Sequence, residues 1–468
     1  MVLFKFKWKN RPQGSTEKKE IHREKGGLQR IKRSAENKEG CKVYHKDLYG
    51  LRKDKYHWLL KNDFQRKNYD KLEPQTPYYF FIKRTTQNIL HYLEWKKISE
   101  ILPVNSVGIV TSRDDFVIDF DRKSLANKVL QFKNLSLPDN IIAHTFNLKD
   151  NKNWSLSEVR NRFAKQSDWQ DYFQDVLYRP FDVRNIFYYE EMIERPRSNI
   201  MRHMIKGTNL GITIGRQGHV VGASNVWNLA FISDKIIDLN LYYRGGAVLF
   251  PLYLYTAKEE NNPRRGGNLM MVFDDQAPYL IRKPNIDPKI YGELERIFKE
   301  KPTPEQILYY IYGIFYSNTY RTRYAEFLKI DFPRVPFTAN YEMFKKVTAL
   351  GKQLTDLHLL KSEMLNEPIS KYRGSGDNDR IENIIYDSKK NCVYINKDKH
   401  FDGIMPELWN YHIGGYQVLH KFLKDRKGRI MDNSRHYSRI VTAISKTISL
   451  QKQIDDIYSQ IEKTIIEL

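Results

Sequence analysis

Apolar positions follow three successive patterns along the chain. Between residues 42 and 175 short apolar runs alternate with polar ones: Lys42-Val43-Tyr44-His45 reads as a strand, residues 54–60 as a short helix, and residues 72–81 as extended chain. Val107-Gly108-Ile109-Val110-Thr111 is a short apolar strand bounded by Asn105 and Arg113. Residues 155–175 predict a helix, with Ser155 or Ser157 as N-cap and Glu158 in the first turn. From residue 178 to 278 the pattern is that of strands (209–214, 229–233 and 247–255), separated by Gly, Asn and Asp turns. Helices then dominate. Residues 304–315 and 320–329 read as helices, and Pro333 and Pro336 force an extended exit. Met343, Val347, Leu350, Leu354, Leu357 and Met364 form a heptad-like seam, and Ile440, Ile444, Ile448, Ile454, Ile457, Ile461 and Ile465 form a second one. Each stripe needs a partner. The pattern predicts an α+β fold: a β-rich centre flanked by helices, with two long C-terminal helices packed as an antiparallel pair.

Charge narrows the choice of partner. The 468 residues carry a net charge of +22, with a pI near 9.5, which favours a polyanion. The first 60 residues hold 17 Lys and Arg against 7 Asp and Glu, so nearly half of the excess sits there. Residues 13–39 are polar, charged and almost free of apolar side chains, which predicts mobility. They read either as a basic arm lying on nucleic acid or as a disordered leader. No apolar run is long enough to span a bilayer and no signal peptide is evident, so a membrane partner is not expected. Cys41 and Cys392 are too few for a disulfide framework or a zinc site. A cytoplasmic location is the expectation.

Candidate chemistry concentrates in one region. Tyr178-Arg179-Pro180-Phe181-Asp182-Val183-Arg184, Glu194-Arg195-Pro196-Arg197, Met201-Arg202-His203-Met204 and Gly215-Arg216-Gln217 place six arginines within about forty residues, among aromatics and prolines. A guanidinium is a planar fork suited to phosphates and guanine edges. Asp182, Glu190, Glu191 and Glu194 offer the alternative of internal ion pairs. On the DNA-binding reading, Arg216 and Gln217 are the base readers, since Arg pairs with guanine O6/N7 and Gln with adenine N6/N7, each worth ~1–3 kcal/mol of discrimination. Arg195, Arg197 and Arg202 suit phosphate contacts or insertion into a groove. Arg264 and Arg265, before Gly266-Gly267, form a basic loop tip. Gly207, Gly211, Gly215, Gly218 and Gly222 match neither a dinucleotide fingerprint nor a P-loop, and read as turns or close backbone approaches. Glu94-Trp95-Lys96, with Asp70 upstream, has the short spacing of a metal-dependent nuclease, a signal too common in a Lys- and Glu-rich chain to carry weight. His412 and His420 read as amphipathic surface groups on one helix. No catalytic, cofactor-binding or metal-binding residue is assigned.

In order and content these segments resemble the C-terminal target-recognition region of the type ISP restriction–modification enzymes and the related single-chain type IIG enzymes. The resemblance rests on Tyr178-Arg179-Pro180-Phe181-Asp182-Val183-Arg184, the Arg-Pro-Arg and Met-Arg-His-Met segments, and Arg216-Gln217. It continues through Phe250-Pro251-Leu252-Tyr253, Tyr309-Tyr310-Ile311-Tyr312-Gly313, the stretch from Tyr320 to Pro336, Gly414-Gly415-Tyr416-Gln417, and Leu423-Lys424-Asp425-Arg426-Lys427. It runs from about Tyr44 to the C-terminus. It implies sequence-specific recognition of double-stranded DNA, directing adenine N6 methylation and cleavage by domains that this chain lacks.

The implied divisions are a leader or methyltransferase remnant (1–43), the end of the methyltransferase region with a linker (44–175), the target-recognition domain (176–338) and a helical spacer (339–468). The regularity of the Tyr-Arg-Pro-Phe-Asp block in the family favours a scaffold role for Arg179, Asp182 and Arg184. The glycine-rich cofactor loop, the Asn-Pro-Pro-aromatic loop and Gly-Lys-Ser/Thr are absent from the sequence. S-adenosylmethionine, ATP and Mg²⁺ are therefore expected only for the missing domains, with a separate methyltransferase or nuclease polypeptide as a conceivable partner. The strand at Val43 is expected to lack its sheet. Two other readings stand beside this one: half of a split adenine-specific methyltransferase, and a nucleic-acid-binding protein with no enzymatic connection.

Overall fold

The computed structural model describes residues 2–6, 42–74, 79, 81, 89–215, 227–243, 245–257 and 280–468. The chain divides into two compact units, residues 1–87 and 88–468. In the first, strand β1 (Val2–Phe6) runs parallel to β2 (Val43–Leu48), and helix α1 (Arg52–Lys61) precedes β3 (Asp70–Leu72), which pairs antiparallel with the other edge of β2. The strand at Val43 thus does not lack a sheet: it is hydrogen-bonded on both edges. Val43 and Leu48 are buried, and Phe64 and Tyr69 pack with ring centroids 5.0 Å apart. Residues 13–39 lie outside the described residues.

Among the first elements of the second unit are the short strands β4 (Ser106–Val107) and β5 (Ile118–Asp119) and the helices α2 (Arg122–Lys133) and α3 (Leu156–Phe163). Asp121 caps α2 by accepting from the Ser124 N–H at 2.7 Å. The helix predicted over 155–175 stops at Phe163. Beyond it the apolar period is lost, and the chain turns to deliver Phe173 to a strand. There follow the hairpin β6 (Phe173–Arg179) and β7 (Asp182–Phe187), helix α4 (Ser198–Ile205), and strands β8 (Gly211–Gly215), β9 (Ala230–Ser233), β10 (Ile236–Ile237), β11 (Ala247–Pro251), β12 (Tyr253–Ala257) and β13 (Leu280–Pro284).

They build two four-stranded sheets, ordered β9-β8-β11-β4 and β10-β6-β7-β5, plus the β12–β13 pair. The strand predicted over 247–255 is broken. Pro251 has no N–H, and Leu252 turns its N–H to Leu210 O (2.7 Å) and its carbonyl to Asn285 N (2.7 Å), so β11 and β12 enter different sheets. Gly211 and Gly215 lie inside β8, where Leu249 Cδ1 and Tyr242 Cδ2 stand 2.6 and 2.8 Å from where a Cβ would be. There they admit side chains of the fold rather than an outside partner.

The helical part begins with α5 (Pro304–Tyr316), set by Pro304 at its first position and a capping box between Thr303 and Gln306. The predicted helix 320–329 is two short ones, Asn318–Arg323 and Ala325–Leu328. Helix α6 (Tyr341–His358) packs mainly on α5, close enough that a Cβ on Gly351 would stand 1.9 Å from Tyr309 O. A small sheet follows, of β14 (Tyr372–Gly374), β15 (Ile385–Asp387), β16 (Cys392–Tyr394) and β17 (Lys399–Phe401), in the order β14-β17-β16-β15. Helices α7 (Val418–Lys424) and α8 (Ser434–Ile461) close the chain.

Helices α6 and α8 do run antiparallel. Thr338, before α6, bonds Thr464 (2.6 Å), and His358 at its end bonds Thr447 (2.9 Å). Met364 falls beyond α6 and is exposed, while Phe344, Thr348, Gly351, Thr355 and His358 complete the buried face. In α8 the buried stripe includes Tyr437, Thr447, Gln451 and Tyr458, and Ile448 and Ile457 are only half-buried. His412 and His420 share no helix: the first is in a two-residue strand, the second on α7.

His358 is the polar centre of this interface. Thr447 Oγ1 donates to Ala443 O (2.7 Å) and so accepts from Nε2–H, which leaves Nδ1 to accept from Tyr312 Oη at 2.6 Å. The ring is stacked on Phe231 at 5.1 Å.

Candidate nucleic-acid interface

Tyr178-Arg179-Pro180-Phe181-Asp182 forms the turn of the β6–β7 hairpin. Phe181 adopts φ +64° there, its ring buried against Phe231 (5.1 Å) and His358 (5.6 Å). Arg179 is buried, with Nη1 2.6 Å from Asp238 Oδ1 and the guanidinium 3.8 Å from the Tyr178 ring centroid. Arg184 donates to Asp182 Oδ2 through Nε (3.0 Å) and Nη2 (2.7 Å), and through Nη2 to Asp425 (3.0 Å). Arg426 Nη2 donates to Asp182 Oδ1 at 2.7 Å. Asp182 is only 2% exposed. Burial pushes its carboxyl up, but Arg426 and Arg184 outweigh that and hold it below the usual carboxylate range. Carboxylates of the fold thus meet the charges of Arg179 and Arg184.

The Arg-Pro-Arg segment is arranged differently. Val110 and Arg195 exchange backbone hydrogen bonds (2.9 and 3.1 Å), and Tyr188 Oη donates to Pro196 O (2.6 Å). Arg197 stands at φ +58° before α4. Two of the neighbouring carboxylates are engaged by other arginines. Glu191 pairs with Arg162 (2.6 Å), and Glu194 with Arg113 (3.4 Å), which lies 3.9 Å from the Trp154 ring. The Arg195 side chain is exposed and that of Arg197 half-buried, and among the described residues neither has an ion-pair partner.

In α4, Met201, His203 and Met204 are buried and Arg202 is half-buried. His203 Nδ1 accepts from the Tyr255 N–H at 3.0 Å, and Asn209 Nδ2 donates to His203 O and Tyr253 O, both at 2.8 Å, fixing α4 to β12. Burial, with Arg202 and Lys206 adding, brings His203 down to about 4, so the imidazole is neutral.

Arg216, Gln217, Arg264 and Arg265 lie outside the described residues. A groove of about 520 Å³ opens between α4 and β12, lined among others by Gly207, Asn209, Tyr253, Arg282 and Lys361. Its charged groups largely meet one another: Lys361 lies 2.6 Å from Asp234, and Tyr253 Oη donates to Glu305 at 2.6 Å. Among the described residues no cluster of three or more His, Cys, Asp or Glu is placed to hold a metal ion, and no helix is long and apolar enough to cross a membrane. Sequence reasoning missed Asp238 and Asp425, the distant partners of the hairpin arginines, and Arg426, which joins Arg184 on Asp182. The only signal was the segment Leu423-Lys424-Asp425-Arg426-Lys427, which carries both signs of charge and belongs to the resemblance.

The fold is one seen in two solved Type ISP restriction–modification enzymes and in a further protein–DNA complex. The ATP-dependent Type ISP enzyme LlaBIII bound to DNA superposes with a TM-score of 0.65 at 19% identity, over 88% of this chain and 27% of that one. A nuclease-deletion mutant of the Type ISP enzyme LlaGI in complex with a DNA substrate mimic gives 0.59 at 20% identity, over 88% and 33%. The DrdV–DNA complex gives 0.63 at 19% identity, over 88% and 43%. The matched part of the chain spans less than half the length of each of these relatives. No curated protein matches it. The family model of the Type ISP C-terminal specificity domain covers residues 100–455. The chain belongs to that family.

Proposed function

We propose that this chain recognises a specific sequence in double-stranded DNA and directs adenine N6 methylation and cleavage by catalytic domains outside these 468 residues. S-adenosylmethionine, ATP and Mg²⁺ would be bound by those domains. Family membership, over most of the chain, carries the reading, and LlaBIII, LlaGI and DrdV were solved with DNA or a DNA mimic. The site supports it: Arg195 and Arg197 keep uncompensated guanidinium groups on a backbone pinned by Val110 and Tyr188, a preorganised arrangement for phosphates. Arg202 extends the same segment. Arg216 and Gln217 remain the proposed base readers, and Arg264 and Arg265 a further contact. Arg179, Asp182 and Arg184 act as scaffold.

The test is a binding selection on random duplex DNA at near-physiological salt. We expect an asymmetric enriched site. Arg195→Ala and Arg197→Ala should leave that site unchanged while lowering the salt slope by ~0.9 for each phosphate no longer neutralised. Arg216→Ala or Gln217→Ala should relax one position, at ~1–3 kcal/mol. Binding without any enriched site would sink the specificity reading.

A further inference from the structure

The turn between α7 and α8 has a composition that the proposed function does not use. Residues 424–429 read Lys424-Asp425-Arg426-Lys427-Gly428-Arg429, four cations against one carboxylate. Two of these charged groups are consumed internally. Arg426 joins Arg184 on the buried Asp182, and Asp425 accepts from Arg184 and Lys421. The remaining three, Lys424, Lys427 and Arg429, are exposed, and among the described residues none has an ion-pair partner.

The turn is also held rigidly. Gly428, at φ +83°, donates its N–H to Ile381 O (2.7 Å), and the Ile381 N–H donates to Arg429 O (2.9 Å). Arg380 reaches across to Gly428 O. The same facing segment carries the exposed acids Asp377 and Glu382, and Glu382 accepts from Asn378 (3.0 Å).

One ring organises the guanidinium groups. Arg184, Arg426 and Arg429 lie 4.2, 4.6 and 4.6 Å from the centroid of the half-buried Phe120 ring. Three like charges gathered round one phenyl group are tolerable because Asp182 and Asp425 neutralise two of them. The third, Arg429, is held in place with its charge unanswered. A guanidinium fixed over a ring has already lost much of its rotamer entropy, and its N–H edge suits an in-plane oxyanion.

We propose that the 424–429 turn, through Lys424, Lys427 and Arg429, is a second phosphate-binding surface that grips the DNA backbone without reading its sequence. The proposal rests on the duplex-DNA reading above and adds to it a contact from a different part of the chain. Its role would be to set affinity and register, leaving base choice to the central region.

The experiment compares the full chain with a Lys424→Gln/Lys427→Gln/Arg429→Gln variant on one fluorescent duplex, by anisotropy at several salt concentrations. Arg195→Ala runs alongside, and thermal melts check folding. The two lysines are exposed and Arg429 gives up only its contact with the Phe120 ring, so the melt should shift only slightly. The expected result is a fall of about 2 to 3 in the slope of log affinity against log salt, with the preferred site retained. An unchanged slope in the triple variant, with Arg195→Ala still weakening binding, overturns the turn's role and leaves the DNA reading standing. A wild-type chain that binds no duplex at all removes the DNA reading, and this proposal with it.

Discussion

Replacing Asp182 with alanine is expected to cost about 3–5 kcal/mol of folding stability, the range for removing one partner from a buried ionic network. The carboxylate is 2% exposed and accepts from both Arg184 and Arg426 at 2.7 Å. Without it Arg184 keeps Asp425, but Arg426 loses its carboxylate while still packed 3.5 Å from the Phe422 ring centroid. Urea unfolding followed by circular dichroism would report the change as a lower midpoint at unchanged m-value. A triple replacement, Asp182→Leu with Arg184→Met and Arg426→Met, should lose much less than the single one, because it removes the desolvated charges together with their partner. A single variant as stable as the wild type would mean that water already solvates the cluster.

The second large effect is on acid stability. Burial, with Arg321 adding, brings His358 down from 6.5 to about 3, and the ring is 3% exposed. The sign follows from proton counts. Between pH 3 and 6.5 the unfolded chain binds a proton at this position and the folded one does not, so stability rises with pH through that window and is lost as pH falls. Each pH unit contributes at most about 1.4 kcal/mol, and the whole window on the order of 5 kcal/mol. His203, held neutral in the same way, adds to the trend. His358→Gln should unfold more easily at pH 7, having lost the bonds to Tyr312 and Thr447, yet show a shallower pH dependence, with about one fewer proton taken up on unfolding. Wild type and variant with the same dependence between pH 7 and 5 would exclude His358 as a source of the acid sensitivity.

The periodic parts of the fold were legible in the sequence because local chemistry specified them. The helix that begins at Pro304, the strands near 211–215 and 230–233, and the antiparallel relation of α6 to α8 follow from neighbours in the chain and from stripes that need covering. In two places where the prediction slipped, a distant contact had decided. Leu252 breaks a continuous-looking strand by bonding to Leu210 and Asn285, and the stripe of α8 runs through Thr447 and Gln451 because His358 and the Tyr316 carbonyl receive them. The candidate site divides the same way. That arginines cluster between residues 179 and 202 is plain from composition. Which of them are neutralised is not, because Arg179 finds Asp238, and Arg184 finds Asp425, across 59 and 241 positions. Glu194 looked like a partner for its neighbours, yet Arg113, 81 positions upstream, engages it.

The node at Asp182 also bears on how the chain comes off the ribosome. The hairpin that contains it is complete once residue 187 has been made, yet Asp425 and Arg426 are added about 240 residues later. At synthesis rates of roughly 5–20 residues per second this is a delay of tens of seconds. Until then, burying the Asp182 carboxylate has only Arg184 to offset it, and Arg184 lacks its second acceptor. The hairpin therefore has little reason to close early, and closing the long loop to the last hundred residues becomes a late, shared step for the centre and the C-terminal turn.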